Sequence, residues 1–156
     1  MSTLGISHVA VGVSDMDRAL TFYRDLIGLE VNLDTIEGGF GGDGSFHRRA
    51  VYLRQPVADG GAADPHAFFI VLDQQLSQEP FGKPPRILQL GTHHFSFWVD
   101  DLVERFERIV AEGFRVVISP TPSDAKAYGE AEGSGRVLTC IVKDQDGNPV
   151  QLDQRL

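Results

Sequence analysis

The sequence predicts an α+β fold made of two tandem βαβββ modules. Three observations carry that prediction. A segment near the start, Ile6-Ser7-His8-Val9-Ala10-Val11-Gly12-Val13-Ser14-Asp15-Met16, returns in the second half as Thr92-His93-His94-Phe95-Ser96-Phe97-Trp98-Val99-Asp100-Asp101-Leu102. Each copy then runs through an amphipathic stretch to a glycine and an apolar run, Gly28-Leu29-Glu30-Val31 in the first and Gly113-Phe114-Arg115-Val116 in the second. The copies also close alike, with Val71-Leu72-Asp73-Gln74 and Gln151-Leu152-Asp153-Gln154.

The elements follow in order from local chemistry. Ile6 to Val13 alternates as a strand, with Val9, Val11 and Val13 on one face and His8 and Ala10 on the other. Ser14, followed three residues later by Asp17, reads as a capping box that starts a helix, with Met16, Ala19, Leu20, Tyr23 and Ile27 at helical spacing and Gly28 as its stop. Strands are expected at Leu29 to Ile36, His47 to Arg54 and His66 to Asp73, separated by Gly-rich loops at 38–44 and 59–64. The second copy repeats the design. Asp100 is its expected cap, Leu102, Phe106, Ile109 and Val110 its buried stripe, and Gly113 its stop. Strands then follow at Phe114 to Ser119, Arg136 to Lys143 and Pro149 to Gln154, with loop between 120 and 135. Asp146-Gly147-Asn148 signals a hairpin, because these residues tolerate the positive φ of a tight turn.

Size and charge narrow the function. A chain of 156 residues closes one good core, so a single domain is expected from modules at about 1–76 and 90–156, joined by a linker at 77–89 within a stretch carrying Pro80, Pro84 and Pro85. A net charge of −8 with scattered basic residues argues against a nucleic-acid partner. No apolar run reaches the roughly 20 residues that span a bilayer, and Met1-Ser2-Thr3-Leu4 does not begin a signal peptide, so a cytoplasmic protein without a membrane partner is expected. The lone Cys140 sits in an apolar run and reads as a core residue.

A doubled βαβββ unit with equivalent histidines and an Asp-Gly-Asn turn before the last strand resembles the vicinal oxygen chelate superfamily. That superfamily includes glyoxalase I, extradiol dioxygenases, methylmalonyl-CoA epimerase, and fosfomycin- and bleomycin-resistance proteins. The segments that carry the resemblance are His94 to Leu102 and Asp144 to Leu152. The resemblance implies a curved mixed sheet around a central cavity, with metal ligands on the first and last strands of each module. It places those positions at His8, Val71, His94 and Gln151, and makes His8, His94 and Gln151 the expected donors for a divalent iron, nickel, manganese or zinc ion. No organic cofactor is implied. The family's metal enzymes usually carry glutamate on the closing strand; here the position is glutamine, and Val71 has no donor atom. With both carboxylates missing, ordinary glyoxalase I activity is not expected.

The implied function is glyoxalase- or dioxygenase-like: a metal-dependent lyase, isomerase or extradiol-type reaction on a small oxygenated metabolite in the cavity between the modules. The alternative is a metal-free, bleomycin-resistance-like protein that binds a small molecule or antibiotic. In that case His8 and His94 line a pocket as hydrogen-bonding groups. Asp153 is expected to anchor a ligand histidine from behind or to bind metal through water, and Tyr128, before the penultimate strand, to reach substrate. Phe69, Val71, Trp98 and Arg136 are the candidate substrate contacts. His93 reads as a structural histidine on the helix side, His47 and His66 as surface residues, and Arg48-Arg49 as charges that solvate a strand edge. A homodimer, common in this family, would cover exposed strand edges.

Overall fold

The computed structural model describes residues 3–40, 44–57, 64 and 66–156. The chain divides into two compact units, Met1–Gly82 and Lys83–Leu156. The linker expected at 77–89 straddles their boundary.

Unit 1 contains β1 (His8–Val13), α1 (Met16–Leu20), a π-helical turn (Thr21–Leu26), β2 (Glu30–Phe40), β3 (Phe46–Arg54) and β4 (Phe69–Gln75). Its sheet has the order β1-β4-β3-β2, with β1 parallel to β4 and the other pairs antiparallel. Unit 2 contains β5 (Phe95–Trp98), α2 (Leu102–Ala111), β6 (Arg115–Asp124), a 3₁₀ turn (Ala125–Tyr128), β7 (Arg136–Lys143) and β8 (Pro149–Arg155). The order there is β5-β8-β7-β6, again with one parallel pair, so the repeat in the sequence is a repeat in topology. Both units are βαβββ and the class is α+β.

In each unit one sheet face is apolar and the other carries the polar side chains. Val11, Leu72 and Val51 stand in one row of the unit 1 register, and Ile70 and Leu53 in the next; all are buried. The matching set in unit 2 is Phe97, Leu152 and Cys140, with Val150 and Val142 beside them. Each such aliphatic side chain contributes about 1.5–3 kcal/mol on burial. Burial pushes the Cys140 thiol up to about 11, so it remains a protonated core group. The closing strands also tie down the helices: Gln74 Nε2 donates to Ser14 O (3.1 Å) in unit 1, and Leu102 N donates to Gln154 Oε1 (2.9 Å) in unit 2.

The structure moves several expected boundaries. Asp15, not Ser14, caps α1: its backbone is extended and its carboxylate accepts from Arg18 N at 3.0 Å. Asp101 rather than Asp100 precedes α2, and its side chain holds Arg105 instead of the helix N–H groups, a task left to Gln154. On α2, Leu102 and Ile109 are buried while Val110 is exposed. β2 runs on through Gly38 and Gly39, because Gly38 pairs with His47 and the imidazole lies where a Cβ would stand, 2.7 Å away. Residues 41–43 and 59–63 of the expected loops lie outside the described residues. β4 begins at Phe69, three residues later than His66. β6 continues to Asp124 through Pro120 and Pro122, which an edge strand with register shifts tolerates because those residues owe the ladder no N–H.

The β7–β8 turn forms as expected. Asp144 Oδ1 accepts from the N–H groups of Asp146 (3.0 Å) and Asn148 (2.8 Å), and Gly147 takes φ 91° with Pro84 only 3.3 Å from where its Cβ would be. No helix among the described residues is long and apolar enough to cross a membrane.

Candidate functional site

The polar face of unit 2 is organised around one carboxylate. Asp153 is 2 % exposed, yet it sits on the sheet face that carries Gln151, Ser96 and Trp98, because β8 alternates and β5 pairs Ser96 with Gln151 and Trp98 with Asp153. Three side chains donate to it. Tyr128 Oη donates to Oδ1 at 2.6 Å, Gln151 Nε2 lies 3.0 and 3.1 Å from the two oxygens, and Ser96 Oγ makes a short bond to Oδ2. A buried carboxylate so surrounded has its lone pairs satisfied.

Tyr128 reaches Asp153 from the 3₁₀ turn rather than from irregular chain. Asp124 accepts from Lys126 N (2.9 Å) to open that turn, and Gly129, at φ 78°, closes it. Burial, then the bond to Asp153, raise the tyrosine's pKa, so the phenol keeps its proton at neutral pH. The Trp98 ring is 51 % exposed and lies 5.6 Å from the Tyr128 ring. Arg155 covers it with its guanidinium carbon 4.7 Å from the ring centroid while pairing with Glu130.

His94 falls one residue before β5. His93 does not act as a separate helix-side histidine: the two Nδ1 atoms are 2.7 Å apart, so one ring donates to the other. Burial, then the neighbouring His93, lower the His94 pKa. Arg136 starts β7, exposed, and alternation puts it with Leu138 and Cys140 on the face opposite Asp153. It is not part of this cluster.

Unit 1 solves the equivalent problem with charge. His8 lies at the start of β1, exposed, with Nδ1 3.0 Å from Ser7 Oγ and its ring stacked 5.0 Å from Phe69. Phe69 is half-buried, and Arg54 approaches its ring at 4.8 Å. Val71 is buried. Asp73 accepts from Arg48 Nη1 at 2.7 Å; the same guanidinium bonds Glu37 Oε2 at 2.7 and 3.1 Å, and Tyr52 donates to Glu37 Oε1 at 2.9 Å. Burial raises the Asp73 pKa against the pull of Arg48, whereas the Arg48 and Tyr52 bonds lower that of Glu37. Arg49 points to the other face and meets Asp34 and Asp17. The sequence treats Arg48 and Arg49 alike; the structure separates them. His47 and His66 are exposed, as expected.

Sequence reasoning missed Ser96, Arg155, Glu37 and Tyr52, and read Arg48 as a charge solvating a strand edge where β3 is an interior strand and the guanidinium is held by Asp73 and Glu37. The alternation that links His94 to Trp98 also passes through Ser96, and the one that links Gln151 to Asp153 continues to Arg155, so both signals were present.

Residues 5–152 match the Glyoxalase/Bleomycin resistance protein/Dioxygenase superfamily. The chain belongs to that superfamily. It is 29% identical over 152 residues, covering 96% of each chain, to an ethylmalonyl-CoA/methylmalonyl-CoA epimerase of Cereibacter sphaeroides. Among solved structures it is similar to a glyoxalase family protein from Bacillus cereus, with TM-score 0.77, 20% identity, and coverage of 100% of this chain and 97% of that one. It is also similar to the fosfomycin resistance protein FosX of Listeria monocytogenes in complex with Mn(II) and sulfate, at TM-score 0.57 and 15% identity over 98% of this chain and 93% of that one.

For this glyoxalase-superfamily chain the metal question turns on donors. Among the described residues no group of three or more His, Cys, Asp and Glu side chains is placed to hold a metal ion. Two imidazoles and the Gln151 amide carry no negative charge to offset a divalent cation, and the adjacent carboxylate, Asp153, is taken up by Tyr128, Ser96 and Gln151. The residues do not fit a tightly held divalent ion, and no step below passes through one.

Proposed function

We propose that the protein is an enzyme that moves a proton on a small oxygenated metabolite, using the polar face of unit 2. The observation that carries this reading is the 2.6 Å bond from the Tyr128 phenol to buried Asp153, beside an exposed tryptophan. A raised pKa makes a free tyrosinate costly, so Tyr128 serves best as a relay. As a substrate proton arrives on Oη, the phenol's own proton passes to Asp153 Oδ1, and the reverse transfer returns it to the product. Epimerisation, named for the Cereibacter relative, consists of such a removal and return at one carbon, and isomerisation of a hydroxy-carbonyl compound returns the proton to a neighbouring atom.

Two readings compete with this one. A metal-dependent lyase, isomerase or extradiol dioxygenase would use His8, His94 and Gln151, with the donor deficit described above. A binding protein of the bleomycin-resistance kind is favoured by one feature, the Trp98 ring exposed at the edge of a saturated polar cluster.

The test is solvent exchange. The protein is incubated in deuterated buffer with neutral and anionic carbonyl probes, among them 2-hydroxyacetophenone and methylmalonyl-CoA, and loss of the α-proton is followed by NMR. Wild-type protein accelerates exchange of at least one probe, Tyr128→Phe lowers that rate by about 100-fold or more, and treatment with chelator leaves it unchanged. No exchange across the panel, alongside saturable binding, would transfer the protein to the binding class. About one iron, nickel, manganese or zinc per chain, lost in His8→Ala or His94→Ala, would restore the metal-dependent reading.

A further inference from the structure

We infer that the ligand of this face is neutral and enters as a hydrogen-bond donor, and that carboxylates and phosphates are excluded; the inference rests on the reading above that the Tyr128, Asp153 and Trp98 side chains meet the ligand. Asp153 draws inward the hydroxyl protons of Tyr128 and Ser96 and the amide N–H of Gln151. Those bonds also fix which way the amide lies. With Nε2 turned to Asp153, Gln151 directs its carbonyl oxygen away from that carboxylate, an acceptor that suits a ligand hydroxyl. Ser96 is exposed and, its proton spent, offers lone pairs as well.

An anion would need a counter-charge, and the basic side chains of this face each already lie beside a glutamate. Arg155 is paired with Glu130 and lies on the Trp98 ring, and Lys126, in the turn that carries Tyr128, pairs with Glu132 at 3.0 Å. In unit 1, Arg48 is shared by two carboxylates, Glu37 and Asp73. An incoming carboxylate would thus face the Asp153 carboxylate with no unpaired cationic side chain beside it. A flat neutral molecule has the half-exposed Trp98 ring to lie against and acceptors for its hydroxyls. The reaction type of the Cereibacter relative can therefore persist here while its acidic substrate class does not.

Trp98 is the one tryptophan of the chain, so its fluorescence reports on this face directly. The full chain is titrated with three matched probes: 4-hydroxybenzyl alcohol, 4-hydroxybenzoate, and 4-methylanisole, which is flat but lacks a donor. The alcohol is expected to bind at least about tenfold more tightly than either of the others. Gln151→Met, which keeps the side-chain length but removes the acceptor, narrows its advantage over 4-methylanisole. The wild-type ranking stands as a test even if that variant fails to fold. Equal or tighter binding of the benzoate overturns the inference while leaving proton exchange intact. Equal binding of 4-methylanisole overturns the donor argument. If no probe changes Trp98 emission, the inference falls together with the assignment of the ligand to this face.

Discussion

The two closing strands place an aspartate at the same point of the same sheet, and the two units satisfy it in opposite ways. Asp73 stands opposite Gly12 and Ala50 in the unit 1 register; Asp153 stands opposite Trp98 and Thr139 in unit 2. Two residues before each aspartate, Val71 faces Ala10 in unit 1, where Gln151 faces Ser96 in unit 2. At each of these equivalent places unit 1 has the smaller or apolar residue and unit 2 the polar or aromatic one. Asp73 must then find its partner in Arg48, a charge it shares with Glu37, whereas Asp153 is held by neutral donors alone. Duplication of a backbone thus leaves the polar face free to diverge: one copy closes on itself as an ion-pair cluster, and the other keeps an oriented hydrogen-bond network beside the half-exposed Trp98 ring.

Removing the two aspartates breaks the comparison most directly. Asp153→Ala removes the buried carboxylate that collects the Tyr128, Ser96 and Gln151 donors, and we expect a loss of about 3 kcal/mol. Asp73→Ala leaves Arg48 with Glu37 and partial access to water, and about 1 kcal/mol is expected. Urea unfolding of the two variants checks the order. Equal costs, or the reverse order, would show that the ion-pair cluster is as tightly integrated as the neutral one.

The contrast was half legible in the sequence. The repeat and its alternation locate both aspartates, Gln151, Trp98 and the histidines, since a two-residue period fixes the face once the strand is known. Tyr128 is legible as a candidate but not its support, because a short 3₁₀ turn after a strand leaves no periodic signal. The length of β6 is masked by Pro120 and Pro122, which break central strands and are harmless on an edge. Adjacent Ser14 and Asp15 are both good caps, so composition does not choose between them. The fate of Arg48 is the least legible. Its partners Glu37 and Asp73 come from the strands on either side, and only the pairing register brings them to one guanidinium.

A smaller effect sharpens the account of unit 1. Arg48 acts on two carboxylates whose pKa values move in opposite directions. The Glu37 pKa is lowered, chiefly by the Arg48 bond, so its contribution to stability is present above the ordinary carboxylate range and is lost as pH falls through the lowered value. The Asp73 pKa is raised, chiefly by burial, so its contribution is present at low pH and is lost as pH rises through the raised value. Between about pH 3 and 5, Glu37→Gln should flatten the acid loss of stability and Asp73→Asn should steepen it. The pH dependence of the urea midpoint decides; slopes that change in the same direction would contradict the opposed pair.

The smallest expected change in stability is at the rim of unit 2. Arg155 and Glu130 are exposed, so their pairing gains little over hydration, and Arg155→Ala should leave the unfolding midpoint where it is. Its effect belongs to Trp98. Losing the guanidinium uncovers one face of the ring, which should make Trp98 emission more accessible to a neutral quencher such as acrylamide. Glu130→Gln removes the anchor but leaves the stacking group in place, so it should raise quenching less. If both substitutions leave quenching unchanged, Arg155 does not cover the ring in solution and Trp98 is open to a ligand at all times. If Arg155→Ala instead destabilises the fold, the rim is a structural brace like the Arg48 cluster, and the two faces differ less than their aspartates suggest.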